Sequence, residues 1–260
     1  MPPERRRLAV TVALVVASAC GDPLTRTSVP GDQQMAIFVV LDPDATQQLA
    51  MVQMSRTDPL QSVAVKVSDG SAVSSGSVSA TTWTPQQSTS AEVKPCVALY
   101  GGAGYWWPTR CIPVTMTPVP GASYDVTVQA GGRPTASATT AVPGAFTVTA
   151  ASFDPASARL HVTWTPSNGA YRYAVVLRDS AATCLLCDNA LAFTTDTSLD
   201  IGLRTLGKNK RVEVIAMNRD LLDYLTTGTD NFMYPLPPAQ NVTGGYGAVG
   251  AWVRRSRPLP

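Results

Sequence analysis

The chain has little of what most chemistry needs. Among 260 residues there is a single histidine, His161, and charged residues make up only 15%. Catalysis by Ser/His/Asp or Cys/His sets needs a histidine oriented by partners. His161 alternates with Leu160 and Val162 in an apparent strand, so it is expected to point outward and alone. No Gly-x-Ser-x-Gly elbow, phosphate loop or His-Glu-x-x-His segment occurs. A glycosidase needs two carboxylates at a set distance in a cleft, and no pair is marked out. An enzyme of unidentified class is therefore kept only as an alternative, and no cofactor or metal is expected. Asp42-Pro43-Asp44 and the Asp220/Asp223 pair offer oxygens that a hard cation accepts, but without a ligand loop they read as turn chemistry and a solvated helix face.

No apolar run is long enough for a transmembrane helix, which needs about 20 residues. The nine residues Leu8 to Val16 follow Arg5, Arg6 and Arg7 and precede Ala17-Ser18-Ala19-Cys20. That is the layout of a secretory signal peptide. Small residues ending in Cys resemble the lipobox of bacterial lipoproteins, with Ala17 where Leu or Val is commoner. The resemblance implies removal of residues 1–19, acylation of Cys20 and anchoring in a membrane by lipid. Gly21 directly after the Cys then points to the outer membrane. Cys20 is also the odd one of five cysteines, and an unpaired thiol in an exported protein needs a reason.

Residues 1–19 hold three Arg and one Glu, so the 20 basic and 18 acidic residues of the whole become 17 of each. A neutral body offers no field for a polyanion, and no nucleic-acid partner is expected. The other four cysteines form two near pairs, Cys96 with Cys111 and Cys184 with Cys187. Four cysteines allow three connectivities, and export with short separations favours the two local bridges. Cys184-Leu185-Leu186-Cys187 has redox spacing, but it lies in an apparent loop rather than at a helix start in a βαβ unit.

Val, Thr, Ser, Gly and Pro are abundant and favour strands and turns. Residues 20–34 read as a tether. Strands are expected at Met35–Leu41, Leu49–Met54, Val63–Val67, Val78–Trp83, Val97–Tyr100, Ile112–Met116 and Tyr124–Val128. Ala141-Val142-Pro143-Gly144 then marks a boundary. Further strands follow at Phe146–Ala150, Leu160–Trp164, Tyr171–Leu177 and Val212–Asn218. Leu221, Leu222 and Leu225 predict one short helix near 220–227. The glycines of Gly244-Gly245-Tyr246-Gly247 and Gly250 suggest a bulged strand or close backbone approach. The expected fold is all-β, with two β-sandwich-like domains in tandem at 35–144 and 145–260.

From 145 to 218 the pattern resembles a fibronectin type III domain. Trp164 and Tyr173 stand where that family packs a Trp beneath a Tyr, and Ala216-Met217-Asn218 matches its Ala-x-Asn ending. Lys210 stands where the family's corner tyrosine is usual. With the Cys20 signal, the Val-Pro-Gly exit and the Gly-Gly-Tyr-Gly-x-x-Gly-Ala ending, the whole resembles an uncharacterised family of bacterial envelope lipoproteins, a domain of unknown function. That resemblance implies location and architecture, beside an outer-membrane uptake system, and little chemistry. The anchor and two sandwich modules without a catalytic set lead to the expectation of a non-catalytic binding or scaffolding protein with an envelope protein or glycan as partner. The aromatic Tyr105, Trp106 and Trp107, in a Gly-rich loop between Cys96 and Cys111, either fold back to cover the end of the sandwich, since burying aromatic area is favourable, or are the candidate binding residues, with carbohydrate binding as the alternative function.

Overall fold

The structure is a computed structural model that describes residues 35–54, 62–79, 91, 94–96, 109–178, 191–203, 206, 211–227 and 240–260. Fourteen named strands and one helix follow in order: β1 (Met35–Leu41), β2 (Gln47–Met54), β3 (Ser62–Ser68), β4 (Val73–Ser79), β5 (Thr109–Thr115), β6 (Ser123–Ala130), β7 (Ala136–Ala141), β8 (Val148–Asp154), β9 (Arg159–Trp164), β10 (Arg172–Arg178), β11 (Ala192–Thr194), β12 (Ser198–Gly202), β13 (Arg211–Met217), α1 (Arg219–Thr227) and β14 (Tyr246–Pro258). The fold is all-β, as the composition implies.

Strand order reveals a repeat that the residues hide. In the first half β1-β2-β5 packs on β4-β3-β6-β7, and in the second β8-β9-β12 packs on β11-β10-β13-β14. Each strand of the first half has its counterpart seven strands later. Both halves are therefore sandwiches of fibronectin type III-like topology. The sequence shows the kinship only in the second half, where Trp164 and Tyr173 pack with ring centroids 5.4 Å apart and Phe146 meets Tyr173 edge-on at 5.9 Å. The first half carries the corner tyrosine instead. Tyr124 is the second residue of β6, and its hydroxyl accepts a hydrogen bond of 2.8 Å from the Val119 N–H. A tyrosine at this corner ties the strand to the loop before it.

Burial explains the two kinds of strand sequence. β3 and β6 alternate, with one face in water and Val63, Val65, Val67, Val126 and Val128 in the core. β1, β10, β13 and the middle of β14 are buried on both faces and read as continuous apolar runs. Of the strand expected over Val78–Trp83, residues 80–83 lie outside the described residues, as does the whole strand expected at Val97–Tyr100; residues 78–79 end β4. β4 is a Ser-rich edge strand that pairs with β3 through the 69–72 turn, so it carries no apolar alternation to reveal it. The helix lies where the leucine spacing puts it.

The seven-stranded sheet crosses the expected division at residue 144. Its order is β11-β10-β13-β14-β1-β2-β5, and residues 33–260 cluster as one compact unit. The long β14 makes the junction. Tyr246–Ala251 pairs in parallel with Ala36–Leu41, and Trp252–Pro258 pairs antiparallel with Met217–Arg211. The glycines of this segment act by close approach. Gly247 has φ +102°, and a Cβ there would stand 1.9 Å from the Ile37 carbonyl oxygen; at Gly250 a Cβ would stand 2.5 Å from that of Leu221.

Asn218 locks the junction. It is buried at the end of β13. Its backbone N–H donates to the Ala251 carbonyl, and its side-chain oxygen accepts from the N–H groups of Ala251 and Leu221. Its side-chain nitrogen donates to the Thr140 hydroxyl at 2.6 Å and to the Ala141 carbonyl at 3.2 Å. One amide thus ties β14, the start of α1 and β7 of the other sandwich. Asn218→Ala strands several buried groups, and we expect a loss of about 3 kcal/mol in chemical denaturation. A loss below about 1 kcal/mol would show that the amide holds nothing together.

Candidate functional site

The outer face of the seven-stranded sheet carries a second core. Phe38 and Val40 of β1, Ala174 and Val176 of β10, Ile215 and Met217 of β13, and Ala248 and Trp252 of β14 point this way. Helix α1 covers them with Leu221 and Leu222, and Phe38 meets Tyr224 at 5.0 Å between centroids. The helix starts here because Asn218 caps it and Asp220 sits in its first turn, where negative charge is favoured. Burial pushes the Asp220 carboxyl above its ordinary range; a hydrogen bond with Asn241 and the Arg219 charge oppose this, and Asp223 adds to it. Burial also raises the Tyr224 phenol.

The Cys96–Cys111 bridge forms as expected and joins this core, with Cα atoms 5.7 Å apart and Cys96 buried. Closing a loop of 15 residues contributes about 3 kcal/mol. Cys111 lies on β5 opposite Met51, so the bridge pins the edge of the sheet.

Beyond Trp252 the same face turns ionic. Arg178 Nε donates to Glu213 Oε2 at 2.7 Å, with both side chains under 10% exposed. Arg254 stands 3.6 Å from the other Glu213 oxygen, donates to Asp42 at 2.7 Å, and stacks 5.8 Å from the Trp252 ring centroid. Arg255 reaches Asp44 at 3.0 Å. The row Arg178, Glu213, Arg254 and Asp42 runs across β10, β13, β14 and the end of β1. Asp42 and Asp44, considered from sequence as oxygens for a cation, both face arginines instead. Buried Gln48 shapes their turn, accepting from the Asp42 N–H and donating to the Asp42 carbonyl.

The exposed chemistry lies at the other end of β10. Tyr171 is 41% and Phe193 48% exposed. Arg172 and Arg219 bring guanidinium carbons to 6.0 and 5.4 Å from the Tyr171 ring centroid. Arg219 also pairs with Asp223 at 3.2 Å, whereas Arg172 makes no ion pair among the described residues. Tyrosine, phenylalanine and arginine are the residue types enriched at the centres of protein interfaces.

Other features carry less. His161 is exposed on β9, across from Asp200, whose carboxylate is taken by Arg159 at 2.6 Å. A depression of about 130 Å³, lined by Val67, Met116, Val119 and Tyr124 among others, is well below the roughly 300 Å³ at which ligand pockets begin. Among the described residues, no three His, Cys, Asp or Glu side chains gather as a metal site, and no helix is long and apolar enough to cross a membrane. Cys20, Tyr105, Trp106, Trp107, Cys184 and Cys187 lie outside the described residues.

Sequence reasoning missed the ionic row and the Tyr171 patch. Glu213 inside the apolar run Val212–Met217 is the one available signal for the row, since an acid within a continuous buried strand needs a partner. Asn218 was visible only as the end of a strand motif.

No protein-family model matches the chain, and no curated protein matches it. Among solved structures, it is similar to a biofilm associated protein BSP domain, with 10% identity and a TM-score of 0.26 over 85% of this chain and 29% of that one. It is also similar to the FN1–FN3 domains of chicken CNTN1, with 8% identity and a TM-score of 0.19 over 85% of this chain and 66% of that one. The chain spans less than two thirds of either. Overlaps this loose carry no functional argument, and the fold assignment rests on strand order.

Glu213→Gln removes the carboxylate between two arginines while keeping the shape. Breaking a buried pair from one side is expected to cost about 3 kcal/mol in a denaturant titration, and the double change Arg178→Met with Glu213→Leu should recover most of it. An unchanged midpoint in the single variant would contradict the row's role.

Proposed function

We propose that this chain is a lipid-anchored, non-catalytic binding or scaffolding module of a bacterial cell envelope. The anchor is Cys20, read from the signal layout before it. The body is a rigid pair of fused sandwiches, and the contact surface is the patch of Tyr171, Arg172, Arg219 and Phe193. The observation that carries the reading is the Cys96–Cys111 disulfide built into a packed core. Disulfides of this kind persist in oxidising compartments outside the cytosol, which agrees with an export signal at the N-terminus. The resemblance to envelope lipoproteins further supports an outer-membrane address, with an uptake system as the partner assembly.

The patch supports binding by its composition and support. Tyr171 directly precedes β10, Arg172 opens it, Phe193 lies on β11 and Arg219 starts α1, and the buried sheet lies beneath these elements. Such anchors lose little freedom on docking. The test uses the intact protein in its native membrane. A photo-crosslinking residue placed beside the patch should trap a defined envelope protein, and Tyr171→Ala with Arg172→Ala should abolish that adduct without lowering thermal stability. Mass spectrometry of the same material should find Cys20 as the first residue, carrying lipid. An unmodified Cys20 thiol or a retained leader would overturn the anchor, and an adduct indifferent to both substitutions would overturn the patch.

A further inference from the structure

The two terminal strands of the described body lie side by side and run in parallel. β1 is entered at Met35, and β14 is left at Pro258. Ala36 to Leu41 pair in register with Tyr246 to Ala251. The chain therefore emerges from opposite ends of this pair. A pull on the two chain ends drives β1 and β14 past each other along their common axis. Every ladder hydrogen bond in the register is then strained at once. In a hairpin pulled apart at its open end, by contrast, the bonds break one after another, each worth only about 1 kcal/mol net.

We infer that the β1–β14 pair is a mechanical clamp, which holds the body folded under tension between its ends. Three further features oppose sliding. The second half of β14 is paired with β13 from Trp252 to Pro258, so withdrawing it shears that ladder as well. Arg254 is tied to Asp42 at 2.7 Å and lies 3.6 Å from Glu213, which links β14 to both neighbours. Before the strand, Thr243 and Ser137 exchange two backbone hydrogen bonds of 2.8 Å, which fasten the entry of β14 to β7. Gly247 matters most for the fit, because its missing side chain lets β14 lie against the Ile37 carbonyl.

A clamp between the ends suits a protein held at one end by a membrane and loaded by a partner, a role that rests on the proposed Cys20 anchor. The mechanical property itself does not depend on that anchor, and a lipid-free purified chain tests it alone. The experiment is single-molecule pulling of the purified protein at one loading rate along two axes. One axis runs between handles at the chain ends. The other runs between handles on unnatural residues at positions 62 and 79, the partnered residues at the open end of the β3–β4 hairpin, where edge strand β4 peels off. The end-to-end axis should need severalfold more force for first rupture, and Gly247→Ala should lower that force while leaving the β3–β4 axis unchanged. If the variant does not fold, the two axes of the unaltered protein still decide. Equal forces, or a weaker end-to-end axis, would overturn the clamp, whatever mass spectrometry finds at Cys20.

Discussion

The structure depends on the insertion of one strand. β14 enters between β13 and β1 and serves two sandwiches with its two halves, the first completing the sheet edge of β1 and the second that of β13. Without it, β1 would present an apolar edge to water, with Ile37, Phe38, Val39 and Val40 beside unpaired backbone groups. Exposed edges of this kind pair with other chains. A strand buried on both faces also needs cover on both, and the cover here comes from different places. The inner face meets the sandwich interior, while the outer face meets α1 and the disulfide-linked residues.

Polar groups at the junction are placed where apolar packing cannot specify register. Apolar contact alone would tolerate β14 shifted by two residues along β1, because the same faces would still be buried. Asn218 and Arg254 remove that freedom. The Asn218 amide finds its partners on Ala251, Leu221, Thr140 and Ala141 in one register only, and Arg254 meets Asp42 in the same one. The Gly247 contact acts in the same sense sterically, since a two-residue shift in one direction would bring Val249 against the Ile37 carbonyl. Specificity of this kind costs desolvation, so the buried charges read as devices that fix the arrangement rather than as net stabilisers.

Much of this was legible in the residues, and the rest was hidden for physical reasons. Alternation located β3, β6 and β9 because each has one wet face. Trp164 and Tyr173 announced the second sandwich, and the leucines at 221, 222 and 225 announced the helix. The repeat in the first half stayed hidden because topology is carried by strand order, and Tyr124 gives no sign in sequence of the corner it ties. The run Met35–Leu41 was legible as a strand, but not the neighbours that bury both of its faces. Its partner lies some 210 residues away, and no local pattern encodes a neighbour at that distance. The candidate site was least legible. Arg172 and Arg219 reach the Tyr171 ring from β10 and α1, and Phe193 is exposed on the neighbouring β11, so the group forms only once these elements pack together.

The central claim is that β14 makes two sandwiches into a single body. Native-state hydrogen exchange on the unaltered protein tests it directly, by comparing the slowest amides of β3 and β6 with those of β10 and β13 as denaturant rises. The account predicts that both sets converge on one opening free energy with the same denaturant dependence. Two separate limits, with one sandwich opening while the other stays protected, would contradict it.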